Sequence, residues 1–308
     1  MAVPSDTLQS YAAVGNREDL SDEITMISPV DTIFYGMIPS KSANAVKHEW
    51  QTDALAAAAS NAQLEGDDAA NVAVTPTTRL YNNCQIQRKV FQISGTQENV
   101  NKAGRTSEVD YQKAKFMKEL AKDIEYAFLR EVRVDGAAGT ASKMRGALNW
   151  TTTNLSKASD ATLNADGTVT GGTNRTNAET VLQPVLQTIF TAGGDPSTIL
   201  CDASQKQKIS AYSQATSNYR AMVEGGKLDS TVDVYVSDFG ALKVMPHRLM
   251  PANTLFIVDT KYWSKATLRP TFMEELAKTG DSKKYQIIVE HTLEAKAENA
   301  NGRVTNLT

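Results

Sequence analysis

The side chains that most often carry chemistry are few in this chain, and they are scattered. The 3 histidines are His48, His247 and His291, and none has the H-E-x-x-H spacing that sets two metal ligands on one helix face. Cys84 and Cys201 lie far apart, so the sequence indicates neither a disulfide framework nor a zinc ribbon. Packing in the interior is the favoured interpretation for all of these side chains.

Two further stretches resemble binding loops without completing them. Gly225–Lys227 would fit the end of a phosphate-binding loop, but the first glycine of that loop is missing and Leu228 replaces its hydroxyl residue. The acidic stretch Glu65–Asp68 lacks the alternating ligands and the distal Glu of a calcium loop, which favours a solvated tip. No G-x-S-x-G elbow is present. The sequence therefore predicts no catalytic, cofactor-binding or metal-binding residue.

The composition excludes several classes of protein. The 308 residues suffice for about two domains, and 32 Lys+Arg against 35 Asp+Glu give a net charge of −3, which disfavours a strongly basic nucleic-acid-binding protein. A hydrophobic content of 41% is typical of a folded chain. No apolar run approaches the roughly 18 residues of a membrane span, and MAVPSDTLQS lacks the features of a signal peptide. We therefore interpret the glycosylation-type motifs as chance matches, at Asn149, Asn154, Asn174 and Asn306.

The N-terminal third predicts an arm followed by a projecting hairpin. Pro29 and Pro39 interrupt any helix in the first forty residues. Strand patterns over 43–55 and 77–93 flank a small acidic segment. We expect two apolar faces on these strands, one of Val46, His48 and Trp50 and one of Leu80, Cys84, Ile86 and Val90.

An isolated hairpin of two strands is marginal in water, so its apolar face needs a partner surface. We expect another copy of the chain to provide it. Trp50 has two open interpretations, a core residue of its own chain or an anchor on a neighbour.

The clearest helix runs from about Ser107 to Arg133 and would span on the order of 40 Å. Ser107 and Asp110 resemble a capping box at its start. Apolar residues recur at steps of three and four, at Val109, Phe116, Met117, Leu120, Ile124, Ala127 and Phe128. Charged residues, Glu125 among them, are expected to fill the solvent face.

The remainder predicts a loop region and then a compact segment of mixed helix and strand. The small, polar stretch 136–177 predicts exposed loops with a turn at Asn164–Gly167. A helix over 178–192, a strand over 198–201, a helix capped by Asp202 and a hairpin over 232–244 follow. Strands over 255–258 and 285–295 close the chain, and the fold class is α+β.

This order of elements and the amino-acid sequences of several stretches resemble those of the tailed-bacteriophage major capsid proteins with the Hong Kong ninety-seven-like fold, in a podovirus-type subfamily. The stretches keep their order along the chain: GNREDLSDEITMISPVDTIF (15–34), HEWQTDAL (48–55), EGDD (65–68), KELAKDIEYAFL (118–129), LRP (268–270) and LAKTGDSKK (276–284).

The resemblance implies five parts: an N-terminal arm (1–43), an E-loop hairpin (44–94), a peripheral domain with the spine helix (95–136), an axial domain (137–251) and a C-terminal return to the peripheral domain (252–308). Since the arm begins almost at Met1, we expect no fused scaffolding extension. Some relatives form a Lys–Asn cross-link, but here Lys41 and Lys47 have only a solvated-charge interpretation. The candidate inter-subunit contacts are Arg17, Glu18, Asp19, Trp50, Glu65, Asp67 and Asp68.

The implied function is a shell subunit without catalytic activity. Copies would form hexamers and pentamers of an icosahedral or prolate head in the virion, assembled in the host cytoplasm. The shell would enclose double-stranded DNA without sequence specificity, which suits a mildly acidic chain. A portal and scaffolding or decoration proteins would be further partners, with no cofactor and no membrane. Two alternatives stay open: an encapsulin-like nanocompartment shell, and an α+β enzyme whose site carries no motif.

Overall fold

Backbone hydrogen bonding forms six α-helices and sixteen strands within the residues that the computed structural model describes, namely 32–66, 68, 71, 73–216, 222–223, 227–228, 234–278 and 280–308. The helices are α1 (Ile33–Met37), α2 (Gly95–Asn99), α3 (Glu108–Arg130), α4 (Ala147–Trp150), α5 (Glu179–Thr191) and α6 (Ala203–Thr216). The strands are β1 (Ser40–Ser42), β2 (Lys47–Thr52), β3 (Thr78–Asn83), β4 (Gln85–Ser94), β5 (Leu155–Ser156), β6 (Thr162–Leu163), β7 (Val169–Thr170), β8 (Thr198–Cys201), β9 (Met222–Val223), β10 (Lys227–Leu228), β11 (Val234–Ser237), β12 (Gly240–Pro246), β13 (Leu255–Val258), β14 (Trp263–Leu276), β15 (Ser282–Ala295) and β16 (Gly302–Val304).

The spine helix α3 begins where the sequence predicted. The Ser107 hydroxyl accepts the Asp110 backbone N–H at 3.2 Å, and the Glu98 carboxylate accepts the N–H groups of Glu108 and Val109 at 3.0 and 3.3 Å. These bonds satisfy amide donors that a helix start leaves without partners. The predicted apolar face is confirmed except at Met117, which is exposed.

A four-stranded sheet in the order β1-β14-β15-β4 lies against α3. The long antiparallel hairpin of β14 and β15 forms its centre. The β4 side chain of Phe91 stacks on Phe116 of α3, with ring centroids 5.1 Å apart. This sheet and helix enclose the larger hydrophobic core.

A six-stranded sheet in the order β11-β12-β8-β13-β16-β5 lies between the two cores. Strands β8 and β13 are buried on both faces, as their apolar runs require. Ile199 and Ile257 point to the smaller core, which α5 and α6 cover. Leu200 and Phe256 point to the larger core beside α1 and α3. The two cores are therefore joined through the backbone of the same strands.

Several local predictions were wrong. On β4 the buried residues are Phe91 and Ile93, whereas Ile86 and Val90 are 54% and 38% exposed. Cys84 lies between β3 and β4 outside both strands, and this one-residue break shifts the alternation by one.

The stretch 136–177 is not a set of exposed loops, because α4 is fully buried and the turn glycine Gly167 is buried against it. The C-terminal strands pair in two different sheets. Strands β13 and β16 belong to the six-stranded sheet, and only β14 and β15 belong to the four-stranded one.

Candidate functional site

The tip of the hairpin formed by β2 and β3 is the most exposed part of the chain that the structure describes. Between Asp53 and Thr77 every described residue is exposed and none belongs to a helix or strand. Leu55, Leu64 and Val74 are 100%, 80% and 93% exposed. Apolar side chains so fully in water, on one projecting segment, are typical of a surface that a partner covers.

The base of this hairpin is fixed to its own chain by a polar cluster around the buried Glu294 carboxylate. His48 Nε2 lies 2.9 Å from Glu294 Oε2 of β15, and Lys41 Nζ lies 3.0 Å from the same oxygen. Burial would raise the pKa of the Glu294 carboxyl, but the hydrogen bonds from His48 and Lys41 outweigh it and lower the pKa below its usual range. The prediction that Lys41 is only a solvated charge was therefore wrong.

Trp50 lies in the core, so the anchor interpretation was wrong for this residue. It is only 8% exposed, and its ring centroid is 5.6 Å from that of Trp150 in α4. Asn82 on the paired strand donates to the Arg145 and Leu293 carbonyls at 3.1 and 2.8 Å. The base of the hairpin is thus packed against its own chain, whereas the described residues of its tip are exposed.

A second buried cluster holds α1 against the spine. Glu125, predicted on the solvent face of α3, is fully buried. Its carboxylate accepts the backbone N–H groups of Phe34 and Tyr35 at 2.7 and 2.9 Å, and its Oε1 lies 2.7 Å from His247 Nε2. The carboxylate therefore joins α1, α3 and the segment after β12. Only its position one helical turn before the buried Leu129 could have pointed to burial.

The remaining reactive side chains lie in the interior, as predicted. His291 lies 3.1 Å from the Gln87 side-chain oxygen, and burial lowers its pKa to about 4. Burial raises the pKa of Cys84 to about 11 and that of Cys201 to about 12, which leaves both thiols protonated. In the described parts of the chain, no group of three or more His, Cys, Asp or Glu side chains could hold a metal ion. Among the same residues, no helix is long and apolar enough to cross a membrane.

The other predicted contact residues divide into two groups. Glu65 and Asp68 lie in the exposed hairpin tip. Arg17, Glu18, Asp19 and Asp67 lie outside the described residues, and their contacts stay a prediction.

The structure shows a further exposed apolar surface that the sequence patterns did not predict. Val234 and Val236 of the edge strand β11 are exposed, and so is Phe190 of α5, whose ring centroid is 5.4 Å from that of Phe239. The sequence shows that these valines alternate along a strand. It does not show that β11 is an edge strand, because that depends on the order of the strands in the sheet.

The architecture is that of the phage capsid proteins with the Hong Kong ninety-seven-like fold. The capsid asymmetric unit of Cyanophage A-1(L) has a TM-score of 0.69 to this chain, 14% identity, and 97% and 98% coverage of the two chains. The structure of Mycobacterium phage Adephagia has a TM-score of 0.61 and 13% identity, with 98% of each chain covered.

Sequence comparison identifies the family within this class. Residues 6–308 match the model of the SU10 major capsid protein family, and the chain belongs to that family. The major capsid protein of Escherichia phage Phieco32 is 27% identical over 337 positions, which cover 95% of each protein. The chain is a major capsid protein of a bacteriophage, a virion structural protein, and the resemblance inferred from the sequence is confirmed.

An encapsulin shell shares the fold at a greater distance. The holo-SrpI encapsulin complex of Synechococcus elongatus PCC 7942 has a TM-score of 0.58 and 8% identity, with 98% and 96% coverage. The family match favours the capsid function over the nanocompartment alternative.

Proposed function

We propose that copies of this chain, as hexamers and pentamers, form the icosahedral or prolate head shell of a tailed phage around double-stranded DNA, and that the chain has no catalytic step. The observation that carries the proposal is the uncovered hairpin tip on a base that its own chain fixes. A closed shell needs contacts that close at several slightly different angles, which a tip whose described residues lie outside helices and strands, on a fixed base, would provide.

Burial of the apolar side chains of the tip on a neighbouring subunit would also contribute free energy to assembly. Full burial of a Leu or Val side chain contributes roughly 1.5–3 kcal/mol. Burial of Leu55, Leu64 and Val74 on a neighbour would thus contribute on the order of 6 kcal/mol per tip before ordering costs. Because each shell repeats this contact many times, a modest gain per tip suffices for a stable lattice.

The charge of the chain supports containment of a genome without tight binding. A net charge of −3 gives little general attraction to phosphates, whereas a shell that neutralised many phosphates would hold its DNA in a salt-dependent way. Portal, scaffolding and decoration proteins are the further partners that we propose, with assembly in the host cytoplasm.

The test compares charge insertion at the tip with charge insertion elsewhere. Leu55→Asp together with Leu64→Asp should lower the yield of shells in sedimentation and electron micrographs at least tenfold, and leave the thermal unfolding of the unassembled subunit unchanged. Leu163→Asp is the matched control, because Leu163 is also an exposed leucine but lies on β6 away from the tip. Each variant is expressed both alone and together with the other head proteins of the phage, so that the test also holds if shell assembly requires those partners.

Three outcomes would contradict the proposal. If the double variant assembles like the wild type, the tip does not drive assembly. If the wild-type subunit stays monomeric under all these conditions, the chain does not form a shell. Particles that hold one co-purified enzyme and no nucleic acid would favour the nanocompartment instead.

A further inference from the structure

A cavity of about 230 Å³ lies within one chain, where the end of α3 meets the β6–β7 hairpin and the C-terminal strand. It is partly open to solvent, and its walls include Arg130, Asn149, Thr168, Thr254, Arg303 and Thr305. Among the described residues no Asp or Glu lines it. The walls therefore combine guanidinium groups with hydroxyl and amide groups.

Arg303 is the unusual member of this wall. The residue is only 3% exposed, yet among the described residues no carboxylate lies within ion-pair distance of it. Its Nη2 donates to the Gly167 carbonyl at 2.9 Å, and its buried Nε has no hydrogen-bond partner. Burial and the nearby Arg145 lower its pKa to about 10, although the Glu298 carboxylate acts in the opposite direction, so it stays protonated at neutral pH. A buried cation with an unpartnered donor and no direct ion pair among the described residues is stabilised when an anion binds to it.

Neighbouring groups strengthen this positive region. The Arg145 Nε donates to the Asn149 carbonyl at 2.9 Å. The Asn149 side chain donates to the Arg130 and Glu131 carbonyls at 3.1 and 2.8 Å. The two Asn149 side-chain bonds cap the negative end of α3, which would otherwise repel an anion.

We propose that this cavity binds a small tetrahedral oxyanion, of the size and charge of inorganic phosphate. Arg303 and Arg130 would provide the charge, and the Thr168, Thr254 and Thr305 hydroxyls would complete the hydrogen bonds. At about 30 Å³ per water, the volume holds an anion with a few waters. A phosphodiester of duplex DNA shares the chemistry, but Arg303 lies too deep for a duplex to reach it.

The experiment is a titration of the full-length subunit with sodium phosphate, followed by thermal unfolding at constant ionic strength, with sodium chloride as reference. We expect a saturable rise in melting temperature with phosphate and none with chloride. Arg303→Gln should abolish this rise. Arg130→Gln, at the exposed rim, should weaken the apparent phosphate affinity about tenfold without loss of folding. Arg175→Gln is the matched control, because Arg175 also bonds the C-terminal strand, at the Thr305 carbonyl, but does not line the cavity.

Each outcome decides the proposal, and the measurement does not depend on shell formation. An equal response to phosphate and chloride would overturn it. So would a wild-type response in Arg130→Gln, which keeps the test decisive if Arg303→Gln fails to fold. A 20-base-pair duplex that produces the same rise and competes with phosphate would assign the region to nucleic acid instead.

Discussion

Removal of the Glu125 carboxylate should release α1 from the spine helix. In Glu125→Ala the backbone N–H groups of Phe34 and Tyr35 and the His247 ring lose their common partner. Each buried polar group left without a partner costs roughly 1–3 kcal/mol. We therefore expect a loss of about 4–6 kcal/mol in the free energy of unfolding, a large fraction of the 5–15 kcal/mol typical of a protein. Glu125→Gln retains the volume and one acceptor, so it should lose only about 1–2 kcal/mol.

The assay is urea unfolding of the unassembled subunit together with hydrogen exchange over residues 33–37. Glu119→Ala is the matched control on the same helix, since Glu119 is not buried, and its effect should stay within about 0.5 kcal/mol. Faster exchange confined to α1 would locate the loss at this cluster. A loss below about 1.5 kcal/mol for Glu125→Ala, or unchanged exchange in α1, would refute the reasoning.

Three further predictions concern titration, backbone geometry and thiol reactivity. The pKa of His291 falls from 6.5 to about 4 on folding, so the unfolded chain binds the extra proton first. Stability should fall by about 3 kcal/mol as the pH drops from 6.5 to 4, and a His291→Leu variant that keeps this slope in urea titrations would contradict the assignment. Gly167 and Gly139 both have positive φ, 86° and 78°, but only at Gly167 would a Cβ lie 1.8 Å from an α4 carbonyl oxygen. Gly139→Ala should cost about 1 kcal/mol and Gly167→Ala at least about 3 kcal/mol by thermal unfolding; equal costs would show that the turn moves away from α4. Cys84 and Cys201 should react with a thiol reagent at pH 8 only after unfolding, and a fast reaction of the native subunit would contradict their burial.

Local patterns predicted most of the elements correctly. The Ser107 cap placed the start of α3 within one residue, and the three- and four-residue spacing predicted its course, although the helix ends at Arg130, three residues before the predicted Arg133. The glycines that follow α5 and the alternation in β11 and β12 likewise placed these elements. Helix caps and periodicity depend on neighbours within a few residues, so they are readable without the fold.

The longest missed element is β14. Its alternation is interrupted by Pro270 and by register shifts between Thr267 and Arg269 and between Arg269 and Phe272. A bulge changes which side chains share a face, so the period-two signal disappears where the strand continues. The burial of Glu125 was missed for a related reason, because its partners are 91 and 122 residues away.

The sequence by itself determined the spine helix, the projecting hairpin, the lack of a marked catalytic site and the family resemblance, because each depends on local spacing or on ordered motifs. Only the tertiary structure decided that Trp50 is a core residue, that Lys41 and His48 share Glu294, and that the Arg303 Nε is buried without a hydrogen-bond partner among the described residues. These features depend on which distant segments meet, and burial then sets the energy of every charge and hydrogen bond at the contact.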